Sequence, residues 1–218
     1  MAFARSLIAA AALAAALPAF AVQSVTSTLT FDEDAVQSNY FSQSIGAFYA
    51  SSGAVFDDAA FALRNDGLGS GTHGEYFTNN PSGLGVLVVD PSATGTVVSA
   101  AAGKAFVGEV SFYYSATADV LPAVSVYAGA NGTGQRLAKL AVLENVSDAG
   151  CTDSAYCGWN KVSISFTGQA QSIVFASGAG AVAYDNVSIS TVPEPESYAL
   201  MLAGLAAVGL MASRSRLR

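Results

Sequence analysis

Two acidic spots are the residues best placed to hold something. Phe31-Asp32-Glu33-Asp34 closes one alternating run, and Tyr184-Asp185-Asn186-Val187 opens another. Asp185 has the parity of Val187 and Ile189, so simple alternation puts it on the inward face of its strand. A buried carboxylate without partners is costly, so Asp185 needs a cation or several hydrogen-bond donors. On the plainer reading Asp32 caps a turn and Asp185 accepts backbone N–H groups.

Other chemistry finds less support. A Ser-His-Asp arrangement would have to use His73, the only histidine, and neither Gly71-Thr-His-Gly74 nor any serine segment forms a nucleophile elbow. No glycine pattern of the Walker or dinucleotide type follows a strand and opens a helix. Paired carboxylates for glycoside hydrolysis will occur by chance in so acidic a chain and carry no signal. We therefore expect no enzyme, the alternative being a secreted hydrolase acting on polysaccharide. Trp159, Tyr156, Tyr113, Tyr127 and Tyr76 are candidate platforms for sugar rings, although aromatics in a β fold are mostly core. Cys151 and Cys157 are the only cysteines, six positions apart. Too few ligands lie nearby for zinc. In an oxidising compartment the pair would close a small disulfide loop worth about 2 kcal/mol.

The elements that position these residues read as strands. Val25, Ser27, Leu29 and Phe31 alternate with threonines, and Val162, Ile164 and Phe166 alternate with Ser163, Ser165 and Thr167. Val110-x-Phe112-x-Tyr114 and Val124–Tyr127 are further runs, with shorter candidates at 47–49, 84–89, 96–98, 137–143, 173–175 and 184–189. Turn-prone stretches separate them, among them Asn79-Asn-Pro-Ser-Gly83 and Asn131-Gly-Thr-Gly134. Only residues 57–63 suggest a turn or two of helix. Many short strands and almost no helix predict an all-β fold, a single β-sandwich of the jelly-roll kind spanning residues 22–190. A membrane barrel would want ~10-residue strands and aromatic girdles, which are not evident.

Both ends read as addresses. Arg5, an apolar run from Leu7 to Leu17 and Ala19-Phe20-Ala21 are the parts of a secretory signal peptide over residues 1–21. Thr191-Val-Pro-Glu-Pro-Glu-Ser197 reads as a stiff polar linker. Tyr198–Ala212 is fifteen residues without charge, followed by Ser213-Arg-Ser-Arg-Leu-Arg218. As a helix this run is about 22 Å long, short for a hydrocarbon core of ~30 Å, a mismatch that snorkelling arginines and local thinning can absorb. A transmembrane helix over 198–212 would leave Arg214, Arg216 and Arg218 cytoplasmic and the domain outside.

Charge supports that partition. Of nine lysines and arginines, Arg5, Arg214, Arg216 and Arg218 lie in the ends, leaving five. Of sixteen acids, Glu194 and Glu196 lie in the tail, leaving fourteen and a domain charge of −9. Such a surface repels phosphate backbones, which argues against nucleic acid, and attracts divalent cations.

Val192-Pro-Glu-Pro195, an apolar helix and a terminal arginine cluster together resemble the PEP-CTERM sorting signal, here over residues 192–218. The resemblance implies a Gram-negative bacterium and recognition by an exosortase, a membrane-embedded cysteine transpeptidase. It implies that Pro193, Glu194 and Pro195 are recognised as substrate, with delivery to the cell surface or the exopolysaccharide matrix after processing. Glu196 departs from the pattern, in which a small hydroxyl residue often follows directly. The early Phe-Asp and late Asp-Asn-Val are similar to jelly-roll carbohydrate-binding modules, where terminal strands are adjacent and often hold structural calcium. That resemblance implies Asp32 and Asp185 as Ca²⁺ ligands, with backbone carbonyls completing the shell.

Overall fold

In the computed structural model the described residues are 23–33, 37–38, 43–64, 77–83, 85–146, 154–194 and 204–205. Twelve strands run in chain order: β1 (Val25–Leu29), β2 (Gln37–Ser38), β3 (Ala54–Phe56), β4 (Ala60–Arg64), β5 (Gly85–Val89), β6 (Gly95–Ala100), β7 (Lys104–Ala116), β8 (Val120–Tyr127), β9 (Arg136–Val142), β10 (Asn160–Ala170), β11 (Ser172–Ala176) and β12 (Val182–Pro193). They form a seven-stranded sheet ordered β10-β7-β12-β5-β4-β2, with β1 also on β12, and a five-stranded sheet ordered β3-β6-β11-β8-β9. Among the described residues every pairing between these strands is antiparallel except β2 with β4, and an isolated parallel bridge joins Phe77 to Tyr156.

Alternation explains how the two sheets meet. Val110, Phe112 and Tyr114 of β7, Tyr184, Val187 and Ile189 of β12, Ile173 and Phe175 of β11, and Val124 and Val126 of β8 fill one core between the sheets. At its centre the rings of Phe112, Phe175 and Tyr184 meet edge to face, with centroids 5.1 to 5.7 Å apart. A second, smaller cluster lies on the outer face of the larger sheet: Phe61, Leu63, Phe77, Val86, Val88 and Ala183, with Tyr156 and Trp159 packed against it. β5 is therefore buried on both faces, which is why Gly85-Val-Leu-Val-Val89 is apolar throughout and does not alternate.

Three sequence expectations change. Residues 47–49, expected as a strand, lie in a run of turns, with Ala50 N–H bonded to Ala47 O at 3.0 Å. The stretch 57–63, expected to give a turn or two of helix, instead leads into β4, which begins at Ala60. Ala60 and Ala62 face the inter-sheet core while Phe61 and Leu63 face the outer cluster, so a small–large alternation serves two apolar layers. The Asp57 carboxylate accepts from Val97 N at 2.8 Å, tying the start of this segment to β6. Lastly, Thr191-Val-Pro193 is not linker but the end of β12, with Val192 opposite Ala105 and Pro193 opposite Lys104. Proline has no N–H to give the ladder, and Pro193 stands at the last position of the strand.

Candidate functional site

β12 changes partner halfway along. Ala183 and Tyr184 pair with β5, whereas Val187 to Thr191 pair with β1, and β7 runs along the opposite edge. Asp185 and Asn186 occupy the changeover, where the end of β1 and the start of β5 meet. The register against β7 shifts between Asp185 and Ser188, and Asn186 has φ 48°, a left-handed conformation that asparagine tolerates.

That irregularity reverses the expected facing of Asp185. Tyr184, Val187 and Ile189 lie in the inter-sheet core, but Ala183 belongs to the outer cluster and Asp185 shares its parity. Asp185 also stands opposite Tyr113, which alternates with core residues Phe112 and Tyr114. It is still 0 % exposed, with Ser82 hydrogen-bonded to its carboxylate.

The structure brings Asp32 and Asp185 to the same serine. Ser82 N donates to Asp185 Oδ2 at 3.0 Å, and Ser82 Oγ lies 2.8 Å from Asp185 Oδ1 and 3.3 Å from Asp32 Oδ1. Gly85 N donates to Asp32 Oδ1 at 2.8 Å, and Asn186 N to Asp185 Oδ1 at 2.6 Å. The Thr30 carbonyl oxygen is 3.1 Å from the same Ser82 hydroxyl. A hydroxyl has one hydrogen, so it cannot donate to Thr30, Asp32 and both oxygens of Asp185 at once. Among the described residues, several carboxylate and carbonyl oxygens thus converge on one hydroxyl.

Burial, above all, raises the Asp185 carboxyl to about 6; hydrogen bonds from Ser82 and Asn186 oppose the rise, and the Asp32 charge adds to it. Two carboxylates, a carbonyl and a hydroxyl are the oxygen donors calcium prefers, although its usual six to eight ligands would need water or further carbonyls. Among the described residues no group of three or more His, Cys, Asp or Glu gathers. Nothing in the sequence singles out Ser82, a serine in a turn-prone stretch, so sequence reasoning missed it.

Two of the aromatic candidates, Trp159 and Tyr156, pack against the outer cluster. Trp159 Nε1 donates to Thr78 O at 2.9 Å, the Tyr156 hydroxyl donates to Gly180 O, and both rings lie half-buried on the outer cluster. The Lys161 ammonium lies 5.8 Å from the Tyr113 ring centroid. Tyr127 is half-buried near the end of β8. Tyr76, His73, Cys151, Pro195, Arg214, Arg216 and Arg218 lie outside the described residues, as do the signal peptide and most of 198–212. Cys157 is described and is not a free cysteine. Gly204 and Leu205 are α-helical, and among the described residues no helix is long and apolar enough to cross a membrane.

The described part is thus an all-β, two-sheet sandwich whose final strand runs into Val192-Pro-Glu-Pro195. Residues 191–216 match the PEP-CTERM protein-sorting motif, and the chain carries that motif. No curated protein matches the chain significantly. Among solved structures, the K2 cleaved adhesin domain of Lys-gingipain is similar over 76% of this chain and 99% of that one, at 12% identity and a TM-score of 0.43. A likeness that distant carries no argument about what this chain does.

Proposed function

We propose that this is an exported protein of the cell surface or exopolysaccharide matrix, sorted by an exosortase, whose β-sandwich serves interaction or structure without catalysis. The carrying observation is the sorting motif at residues 191–216, joined directly to a folded, acidic domain. In this reading the apolar run 198–212 holds the chain in the membrane while Pro193, Glu194 and Pro195 are recognised. The domain then reaches the surface, where exopolysaccharide is its nearest partner. Mass spectrometry of the native C-terminus, in cells with and without an exosortase, tests this together with fractionation of the matrix. The expected result is a tail removed near Pro195 and a domain outside the cell, only when the enzyme is present. An uncut chain in the cytosol would sink the reading.

The convergence of Asp32, Asp185 and the Thr30 carbonyl on Ser82 supports a second element, a structural calcium held by those oxygens. It would clip β1 to β5 where they abut against β12. A Cys151–Cys157 disulfide completes the proposal. It would close a loop leading into Trp159 and fix the segment that covers the outer cluster. Non-reducing peptide mapping should recover the two cysteines in one linked fragment; alkylation of both without prior reduction would refute the bridge.

A further inference from the structure

The sorting motif begins inside the fold, and that has a consequence for how it is delivered. Thr191 and Val192 are 4 % and 7 % exposed, and their backbone is engaged with Phe106 and Ala105 of β7. Thr191 also packs under Gly53: a Cβ added there would meet Thr191 Cγ2 at 2.7 Å, and Gly53 has φ +99°. Beyond Pro193 the pairing does not stop. Glu194 N donates to Gly103 O at 2.9 Å, and Gln171 Nε2 donates to Glu194 Oε1 at 2.9 Å.

Both anchors are themselves tied by backbone hydrogen bonds. Gly103 lies in the turn between β6 and β7, closed by Lys104 N to Ala101 O at 2.9 Å. Gln171 links β10 to β11, and its own backbone is bonded on both sides: its N–H to Tyr127 O at 3.0 Å, its carbonyl to Ala100 N at 2.9 Å. The one charged residue of Val192-Pro-Glu-Pro195 therefore has its backbone donor and a carboxylate oxygen already taken by the cargo.

We infer that Gln171 and the Gly103 carbonyl form a clamp that withholds the sorting motif, so that processing draws on the fraction of molecules in which Glu194 has peeled away. The inference rests on the sorting reading above. An enzyme that takes a peptide in extended form needs its backbone groups and its side-chain handle free. Where the competent state is a minority, apparent affinity falls by that minority fraction, and loosening the clamp raises it. Gln171 is thus a positioning residue outside the matched motif.

The test uses the full-length chain, in cells and purified in detergent. Gln171→Leu keeps the volume and removes the donor; Gln171→Glu sets a carboxylate against Glu194. Hydrogen exchange at the Glu194 amide should accelerate about five- to tenfold in Gln171→Leu, as expected for losing a half-exposed, charge-assisted hydrogen bond, and more in Gln171→Glu. Tail removal in cells should speed up in the same order. Unchanged exchange in both variants overturns the clamp, and so does faster exchange with slower tail removal, since the contact would then present the motif. A wild-type chain that keeps its tail while exchange responds as expected refutes the sorting reading itself, and the inference with it.

Discussion

Replacing Tyr184 by alanine is expected to cost about 3–5 kcal/mol, the range for removing a large aromatic from a packed core. The ring lies at the centre of the sandwich, fully buried between Phe112 and Phe175. Its hydroxyl donates to Ala176 O at 2.9 Å, so it joins β12 of one sheet to β11 of the other. Burial pushes that hydroxyl well above the usual phenol range, and it stays a neutral donor. Tyr184→Phe keeps the ring and should lose only about 1–2 kcal/mol, mostly from a carbonyl left without its partner. Against a typical total of ~5–15 kcal/mol the alanine variant forfeits a large share of stability. Urea unfolding of the two variants separates the terms. An alanine cost below about 1 kcal/mol, a surface-like value, would contradict the placement of Tyr184.

The second large effect belongs to Asp185 and depends on pH. Its folded carboxyl is raised from 3.8 to about 6. In chelator its contribution to stability is fully present below the unfolded value of 3.8, and is lost as pH rises through about 6. The loss amounts to roughly 3 kcal/mol between the two limits, because ionising the group in the fold is unfavourable by that much. Calcium acts in the opposite sense. It binds the ionised Asp185, so it should restore stability at pH ~7 and have little effect at pH ~4, where Asp185 is protonated, the gain being about 2.7 kcal/mol at a hundredfold excess over its Kd. Asp185→Asn is isosteric and cannot ionise, so it should abolish both the pH step and the calcium response. The measurement is melting temperature against pH, in EDTA and in excess calcium. If EDTA leaves the Tm unchanged at neutral pH, the calcium clip is wrong. If wild type and Asp185→Asn follow one curve in EDTA, the buried carboxylate does not govern the step.

How much of this was legible depended on how local each cause is. β10, β7 and β11 could be read directly, because Ile164 and Phe166, Phe112 and Tyr114, and Ile173 and Phe175 each alternate toward one core. β4 could not. Ala60-Phe-Ala-Leu63 has no polar face, since Tyr156, Trp159 and Phe77, distant in sequence, cover its second side. Parity misplaced Asp185 because one left-handed asparagine beside it resets the count, and a period-2 pattern contains no sign of a bulge. The end of β12 was misjudged for a related reason. Two prolines argue locally against a ladder, yet Gly103 and Gln171 supply partners from other turns.

By itself the sequence determined the class and the address: an all-β, acidic domain, and a sorting motif that needs only residues in consecutive order to be read. Both are written in short-range patterns. Only the tertiary structure decided that Asp32, Ser82 and Asp185 share one pocket, and that Glu194 is held by the body of the protein. Those contacts span 50 and 103 residues for Ser82 and 23 for Gln171 with Glu194. No local periodicity records which strand ends will abut or which carbonyl will face a given N–H; that is fixed when β1 and β5 dock on the same edge of β12.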